Sequence, residues 1–421
     1  MVSFDRIWKL IQESDITFGS FLFTKEAQVK SPSVIVKLLK LQTPLNAFLI
    51  AFGMISTVVM TNFNITSVIF CLTVSVTSCG FFLSYWILII SRQGIKDLLE
   101  WCRKLYDVNR KFQGEVKVIA ENRLVQTEAF TVKVFKWIRN LLLFNGIFCC
   151  TGGSIISFFL PDDIVPKFEI PVPFMLPFPD QHTWICFITS VVVCQIALVY
   201  IALGIIFLSF LFLCITLHIL GFCDVILESI EEMKNDLEAR TEEIRESYAE
   251  TSTALPFLRQ KVPLNDKKFE NWIKCITSMI VDVNTVILKM YRIFTYLALI
   301  IEIVSLSNLF LTGLIIIIVK SQYFFAVSGN VCLVILFGTC YINEVIRDKF
   351  DEIEEALYDL PWYAIDVKHQ KILLVMLQCD KIQLGLTAAG IHEMTIERFG
   401  TVLQAGYSNL LVLKDFIHRF T

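Results

Sequence analysis

Hydrophobic residues along this chain fall into seven runs, each about as long as a helix needs to cross the hydrocarbon core of a bilayer. The runs cover residues 44–61, 66–90, 138–160, 184–218, 293–319, 324–345 and 393–416. The fourth run is long enough for its helix to project beyond the bilayer. The pattern predicts an all-α polytopic membrane protein with seven transmembrane helices.

The last run differs from the others because it carries polar side chains at helical spacing. At 100° per residue, six of them form a polar stripe that falls within about 40° of one line on the helix. The polar stripe consists of Glu393, Glu397, Thr401, Gln404, Ser408 and Asp415. A bilayer penalises such a stripe unless it faces protein or water. We therefore expect this helix to line a pathway for ions.

Three of the runs continue beyond the predicted membrane as amphipathic helices. An unbroken heptad seam leads into the fifth span: Phe269, Trp272, Ile276, Met279, Val283, Val286 and Met290. Shorter seams continue the fourth and sixth spans: Ile226, Ile230, Met233 and Leu237, and Ile346, Phe350, Ile353 and Leu357. These seams need apolar partners, either one another within one subunit or copies in an oligomer. We favour a cytoplasmic bundle that holds several subunits together.

Lys and Arg residues are concentrated in alternate segments, and this sets the expected orientation. Residues 1–43, 91–139, 219–292 and 346–391 hold 32 of the 37 Lys and Arg residues. Because basic residues collect on the cytoplasmic side, we expect a cytoplasmic N-terminus and an extracellular C-terminus. The predicted segments are a cytoplasmic N-terminal helical segment (1–43), transmembrane helices 1–4 (44–218), cytoplasmic anchor helices (219–292), transmembrane helices 5 and 6 (293–345), further cytoplasmic anchor helices (346–391), and transmembrane helix 7 with an extracellular tail (392–421).

Two features belong to the predicted extracellular loops. The loop at 161–180 holds six of the eleven prolines, which exclude a regular helix and stiffen the segment. We interpret it as an ordered lid over the helix ends, with a plain solvated connector as the alternative. The sequence Asn64-Ile65-Thr66 is an acceptor for N-glycosylation, and it lies in the first outer loop close to the bilayer.

Composition narrows the class of protein. The chain of 421 residues is 55 % hydrophobic and 18 % charged, with a mean hydropathy of +0.64. A soluble domain carries about 25 % charged residues. Most of the 13 cysteines lie inside the apolar runs, which argues against a disulfide scaffold. The sequence shows no nucleophile–base or metal-ligand spacing, so we expect no enzyme, no cofactor, no metal site and no nucleic-acid partner.

The C-terminal region, residues 358–416, carries a resemblance to a known family. Its matching elements are the turn Pro361-Trp362-Tyr363, the helix LLVMLQC, the motif Thr387-Ala388-Ala389-Gly390, and Phe399 with the pair Tyr407-Ser408. With seven spans, an inside N-terminus and a Pro-rich second outer loop, this combination resembles the insect odorant receptors. The topology agrees over the whole chain, whereas the motifs are confined to this region.

The resemblance implies a ligand-gated, non-selective channel for cations, built as a heterotetramer with a shared co-receptor subunit. It implies a plasma-membrane location in a sensory-neuron dendrite. In that family the seventh span lines the pore, and the cytoplasmic helix extensions form an anchor between subunits. This chain lacks the co-receptor's long insertion between spans four and five, so it resembles an odour-tuned subunit that acts with the co-receptor.

Alignment of the last span with that of the co-receptor places Val412 on the hydrophobic gate valine. An apolar ring at a constriction gates by dewetting, and Gln404 and Ser408 would line the same pathway. The alternative for Val412 is packing between helices. Asp415 and Phe416 follow at the outer mouth, where the acid would attract cations or simply belong to a solvated helix end.

A small volatile apolar or aromatic ligand needs a concave, largely apolar cavity, which we place between the outer halves of spans two to six. The candidate residues are Val74, Ser78, Phe81, Phe82, Thr151, Gly152, Ser154, Phe159, Phe187, Val191, Phe325, Ser328 and Cys332. For each residue, ordinary packing between membrane helices is the alternative. For two charged residues in or near the spans we expect structural roles rather than a part in ligand binding or conduction. Glu302 would be a carboxylate at the inner bilayer boundary, and Arg398 would pair with a nearby acid or snorkel.

Other classes of membrane protein fit less well. A G-protein-coupled receptor has an extracellular N-terminus, and its DRY and NPxxY motifs are missing here. A secondary transporter would show a repeated half with paired, interrupted spans. A gustatory-type ligand-gated channel subunit shares the whole architecture and is the closest rival, although the Tyr407-Ser408 pair favours the odorant branch.

Overall fold

The computed structural model describes residues 4–18, 65–106, 115–147, 184–249, 267–318, 324–379 and 385–420. Its helices are α1 (Asp5–Phe18), α2 (Ile65–Ile90), α3 (Arg92–Leu105), α4 (Glu115–Ile147), α5 (Trp184–Ala249), α6 (Lys267–Ile318), α7 (Phe324–Tyr358), α8 (Val367–Cys379) and α9 (Ile396–Phe420). A short 3₁₀ helix, Trp362–Ala364, precedes α8, and two strands, β1 (Thr387–Ala388) and β2 (His392–Glu393), precede α9. Apart from one small hairpin and short turns between elements, the described residues are therefore helical, which confirms the predicted class.

The described helices coincide with the predicted second, fourth, fifth and sixth spans, whereas the last span starts later than predicted. Helices α5, α6 and α7 cross their predicted spans and run on without a break into the predicted cytoplasmic extensions. Among the described residues, the segments Phe207–Glu243 and Phe269–Leu314 are long and apolar enough to cross a membrane. The bent pair Ser75–Ile90 and Arg92–Leu105 adds a third when it is counted as one span. The predicted first span, the acceptor Asn64 and the loop at 161–180 lie outside the described residues.

The bend between α2 and α3 marks the end of a predicted span. The two helices meet at 71°, and α3 buries one apolar face consisting of Ile95, Leu98, Leu99, Cys102 and Leu105. This face packs against α6 and α5, while basic side chains lie in the last turn of α3. Such an amphipathic helix, turned away from the axis of α2, is typical of a chain that leaves the bilayer and runs along its surface.

The three apolar seams are buried against one another within one chain. The most exposed seam residue of α6 is Trp272, at 8 %, and the most exposed one of α5 and α7 is Phe350, at 5 %. Helix α6 packs against both α5 and α7, which accounts for this burial. Of the two partners left open for these seams, the structure shows the first, one another within one subunit. A cytoplasmic bundle that holds several subunits together stays a prediction. An anchor between subunits would have to use other faces of the same helices.

Helix α9 begins at Ile396, so the start of the predicted last span needs correction. Thr395 caps the helix, because its side-chain oxygen accepts a hydrogen bond from the backbone N–H of Arg398 at 3.1 Å. Glu393 lies before this cap, in β2, and is not part of the polar stripe. The hairpin turns through Gly390 at φ +77°, a left-handed conformation that glycine adopts at little cost.

Candidate functional site

A cavity of about 310 Å³ lies between α2, α5, α6 and α7, with the start of the predicted third span at its edge. Helix α6 forms the longest wall, with Phe294, Leu297, Ala298, Ile300, Ile301, Val304 and Ser305. Phe81 of α2 and Phe212 of α5 also line the cavity, and the ring of Phe212 lies edge-on to that of Phe294, with 5.1 Å between the ring centroids. Sites for small molecules measure roughly 300–1,000 Å³ and are mostly apolar, so this cavity suits one small ligand.

Several polar side chains in or beside the cavity wall make hydrogen bonds within the protein. The hydroxyl of Ser305 donates to the carbonyl of Cys332 at 2.9 Å. Asn308, 1 % exposed, donates through Nδ2 to the hydroxyl oxygen of Thr77 at 2.9 Å and to the sulfur of Cys332 at 3.3 Å. Because these donors already have acceptors, apolar contact would hold most of a ligand in this cavity.

The cavity includes some of the predicted ligand residues. Phe81 and Cys332 line it. Ser78 is buried and Phe82 half-buried on the same stretch of α2, but neither belongs to the lining. The remaining predicted residues lie outside what the structure describes. For Val74, Phe187, Val191, Phe325 and Ser328 only the backbone is described, and Thr151, Gly152, Ser154 and Phe159 are outside the described residues altogether.

The cavity also lies deeper than the predicted pocket. In the expected orientation, its lining on α6, from Phe294 to Ser305, belongs to the cytoplasmic half of the fifth span. Sequence reasoning missed this wall, although its residues recur at helical spacing. Periodicity alone does not distinguish a cavity wall from a packed face. A pocket between the outer halves of the spans stays a prediction.

The segment before α9, residues 386–394, is hydrogen-bonded to α6 and α7. The hydroxyl of Thr295 on α6 donates to the carbonyl of Thr387 at 2.7 Å. Asn343 on α7, 3 % exposed, donates to the carbonyl of Met394 at 2.9 Å and accepts from the N–H of Leu386 at 2.8 Å. Both ends of the hairpin are thus tied to the helices that line the cavity.

A buried ionic cluster joins α6 to the first turn of α9. Arg398 donates to one carboxylate oxygen of Glu302 from Nε at 3.0 Å and from Nη2 at 2.7 Å. The Nε2 atom of His392 lies 2.5 Å from the other oxygen. Glu302 is only 5 % exposed, so the expected boundary carboxylate is in fact buried and paired within the protein. Of the two roles expected for Arg398, the structure shows the pairing with an acid, which is Glu302 of α6.

Small residues allow α6 and α9 to pack closely on the C-terminal side of this cluster. A Cβ atom at Gly406 of α9 would lie 2.2 Å from Cδ2 of Leu309. A Cβ atom at Gly313 of α6 would lie 2.3 Å from Cδ1 of Leu410. Each helix therefore places a leucine over a glycine of its neighbour, a common packing device in membranes. The order of these contacts shows that α6 and α9 run parallel to each other.

The opposite face of α9 points away from the rest of the chain. Its exposed residues include the polar stripe after Glu393, namely Glu397, Thr401, Gln404, Ser408 and Asp415. Val412 lies on the same side and is 71 % exposed, so it does not pack between helices of this chain. Val402 and Gly406, by contrast, are buried. The side chain of Phe416 is outside the described set.

Comparisons with known proteins agree on one family. The model of the 7tm odorant receptor family matches residues 64–407. Odorant receptor 33a of Drosophila melanogaster is 23 % identical over 88 residues, which are 21 % of this chain and 23 % of that receptor. Odorant receptor 10 of Aedes albopictus is 26 % identical over 98 residues, 23 % of this chain and 25 % of that receptor. Both alignments thus span about a quarter of the relative.

Solved structures match over nearly the full length. The insect olfactory receptor OR5 of Machilis hrabei, in complex with eugenol, has a TM-score of 0.71 at 11 % identity, covering 98 % of this chain and 99 % of that receptor. A second structure of OR5 has a TM-score of 0.65 at 12 % identity, with coverages of 97 % and 98 %. This likeness establishes the fold.

Proposed function

This chain belongs to the 7tm odorant receptor family, and from that premise we propose that it is a subunit of an odorant-gated, non-selective cation channel. A small volatile ligand binds in the cavity beside α6, and the outward face of α9 lines the pore. Gln404 and Ser408 line the pathway, Val412 forms the gate, and Asp415 and Phe416 lie at the outer mouth.

The observation that supports this proposal is that α6 contacts both the cavity and α9. Ile301 and Val304 of α6 line the cavity, whereas Glu302 binds Arg398 of α9. A ligand that fills the cavity therefore contacts α6, the helix against which the proposed pore helix α9 packs. Because packed helices adopt discrete arrangements rather than deform continuously, a small shift of α6 is passed on to α9.

The exposed stripe of α9 supports assembly with other subunits. Polar side chains at membrane depth are costly against lipid, but they are tolerated where they face water or protein. We propose that the partners are co-receptor subunits in a heterotetramer. The assembly would lie in the plasma membrane of a sensory dendrite, with the N-terminus inside the cell.

Electrical recording tests the proposed function. The full chain is expressed with and without a co-receptor in cells that lack odorant receptors, and currents are measured against a panel of volatile alcohols, esters and phenols. Eugenol is included because OR5 was solved with it. We expect at least one compound to evoke a cation current only when both subunits are present. Currents that match those of the co-receptor alone for every compound would refute the proposal.

A further inference from the structure

Helix α6 presents two adjoining faces with different neighbours. One face lines the cavity and includes Leu297, Ile301 and Val304. The other, about 120° away around the helix axis, meets α9 and the hairpin before it through Glu302 and Leu309. The two faces overlap in sequence, so one stretch of α6 contacts both the candidate ligand site and the candidate pore helix.

The contacts on the second face differ in chemistry along the helix. Leu309 of α6 packs against Gly406 of α9. This contact is apolar, and apolar contacts are non-directional. At the inner end, Glu302 makes hydrogen bonds of fixed geometry to Arg398 and His392. Two guanidinium nitrogens of Arg398 donate to one oxygen of Glu302, and such paired, charge-assisted bonds restrict both distance and orientation. The two helices are therefore held in register at this cluster.

The partners of Glu302 lie on both sides of the point where α9 begins. Arg398 is in the first turn of α9, whereas His392 is in β2, before the cap residue Thr395. One carboxylate thus holds the helix and its preceding strand together against α6. Thr295 differs from it in this respect, since its hydroxyl binds Thr387 in the hairpin.

We propose that Glu302 is the positioning residue that couples the ligand cavity to the pore helix. When a ligand shifts the cavity wall of α6, the Glu302–Arg398–His392 cluster makes α9 follow. This inference rests on the proposed function. It assigns a role in gating to a carboxylate that touches neither the ligand nor the permeant ions.

The test uses a double variant that removes both charges. Replacing one partner alone leaves an uncompensated buried charge, which damages folding. Glu302→Gln combined with Arg398→Gln avoids this and still allows a neutral hydrogen bond. We expect the double variant to reach the cell surface and to keep the thermal shift that the most effective panel compound induces in the purified assembly. Maximal current per surface channel should fall by about tenfold. This factor lies within the range by which coupled sites usually affect each other, about 5- to 150-fold.

A second ion pair in the chain supplies the matched control. Arg123 on α4 donates from both Nε and Nη2 to one oxygen of Glu228 on α5, with no part in the cavity or in α9. The double variant Arg123→Gln with Glu228→Gln removes the same two charges from a pair with the same arrangement of donors, whose carboxylate is 32 % exposed where that of Glu302 is 7 % exposed. We expect its maximal current and its thermal shift to match those of the wild type.

The outcomes separate the two proposals. A Glu302/Arg398 double variant that conducts like the control overturns the coupling role. If the double variant does not reach the surface, Arg398→Lys decides the matter, since it keeps the charge but loses the paired donors Nε and Nη2. An unchanged maximal current in Arg398→Lys then overturns the role, whereas a reduced current at unchanged half-maximal concentration supports it. A wild-type assembly that responds to no compound refutes the proposed function itself.

Discussion

Among the described residues, two glycines line the cavity, and their surroundings predict opposite effects of substitution. A Cβ atom built on Gly338 of α7 has no heavy atom within 4 Å. A Cβ atom on Gly80 of α2 would lie 2.2 Å from Cγ2 of Val304. A side chain added at Gly338 therefore enters empty space, whereas one added at Gly80 pushes against the wall formed by α6.

We predict that the series Gly338→Ala, Gly338→Leu and Gly338→Phe raises the half-maximal odorant concentration step by step. The cavity holds about 310 Å³, so a ligand that fits the wild-type protein leaves little spare room. Forcing extra methylene groups into a filled site costs about 1–3 kcal/mol. That range corresponds to an increase of about 5- to 150-fold in the half-maximal concentration, with the largest effect for phenylalanine.

Concentration–response curves in cells that also express the co-receptor provide the measurement, with surface labelling of each variant alongside. We expect the Gly338 variants to keep their surface level and maximal current. Gly80→Ala, as the contrasting variant, should reduce surface level or thermal stability without a comparable parallel shift of the curve. If Gly338→Phe leaves the half-maximal concentration unchanged, the ligand does not occupy this cavity, and the predicted pocket between the outer halves of the spans becomes the better candidate.

Three further substitutions test the pore helix and its attachment. Val412→Ser should raise the current measured without odorant, because a polar ring favours wetting of the constriction; an unchanged leak would contradict the gate assignment. Asn343→Leu should lower the melting temperature in detergent, since two buried backbone groups lose their partner at a cost of about 1–3 kcal/mol each. Gly406→Ala should alter the open probability while ligand-induced thermal shifts persist, and adding Leu309→Ala should reverse the change; a wild-type open probability in Gly406→Ala would show that close packing there is not needed.

Local patterns were sufficient to predict the helices and the faces they present. The run of apolar residues in α6 and its heptad seam predicted a helix that continues out of the membrane, and the seam is buried as an apolar stripe should be. Likewise, the spacing of Thr401, Gln404 and Ser408 predicted a common face, and all three residues are exposed on α9. These inferences need only the period of the helix.

Features that depend on the register between helices could not be predicted in the same way. Glu302 and Arg398 are 96 positions apart, and nothing in either segment specifies the other as its partner. The cavity depends on small mismatches in packing among several helices, which a single sequence does not reveal. The seam of α6 required an apolar partner, but its identity as α5 and α7 of the same chain followed only from the three-dimensional arrangement.

The distribution of polar side chains on α9 supports the proposed assembly of several subunits. On its inward side, Arg398 is neutralised by Glu302 inside the protein, so that side carries no uncompensated charge at this point. On its outward side, Glu397, Thr401, Gln404, Ser408 and Asp415 are exposed, and polar side chains at membrane depth are costly where they face lipid. Several subunits with these faces turned to a shared water-filled axis would remove that cost. If most of the partners are co-receptor subunits, Asp415 contributes a single charge to the outer mouth rather than a ring, and cation selectivity must then depend mainly on residues of the partners.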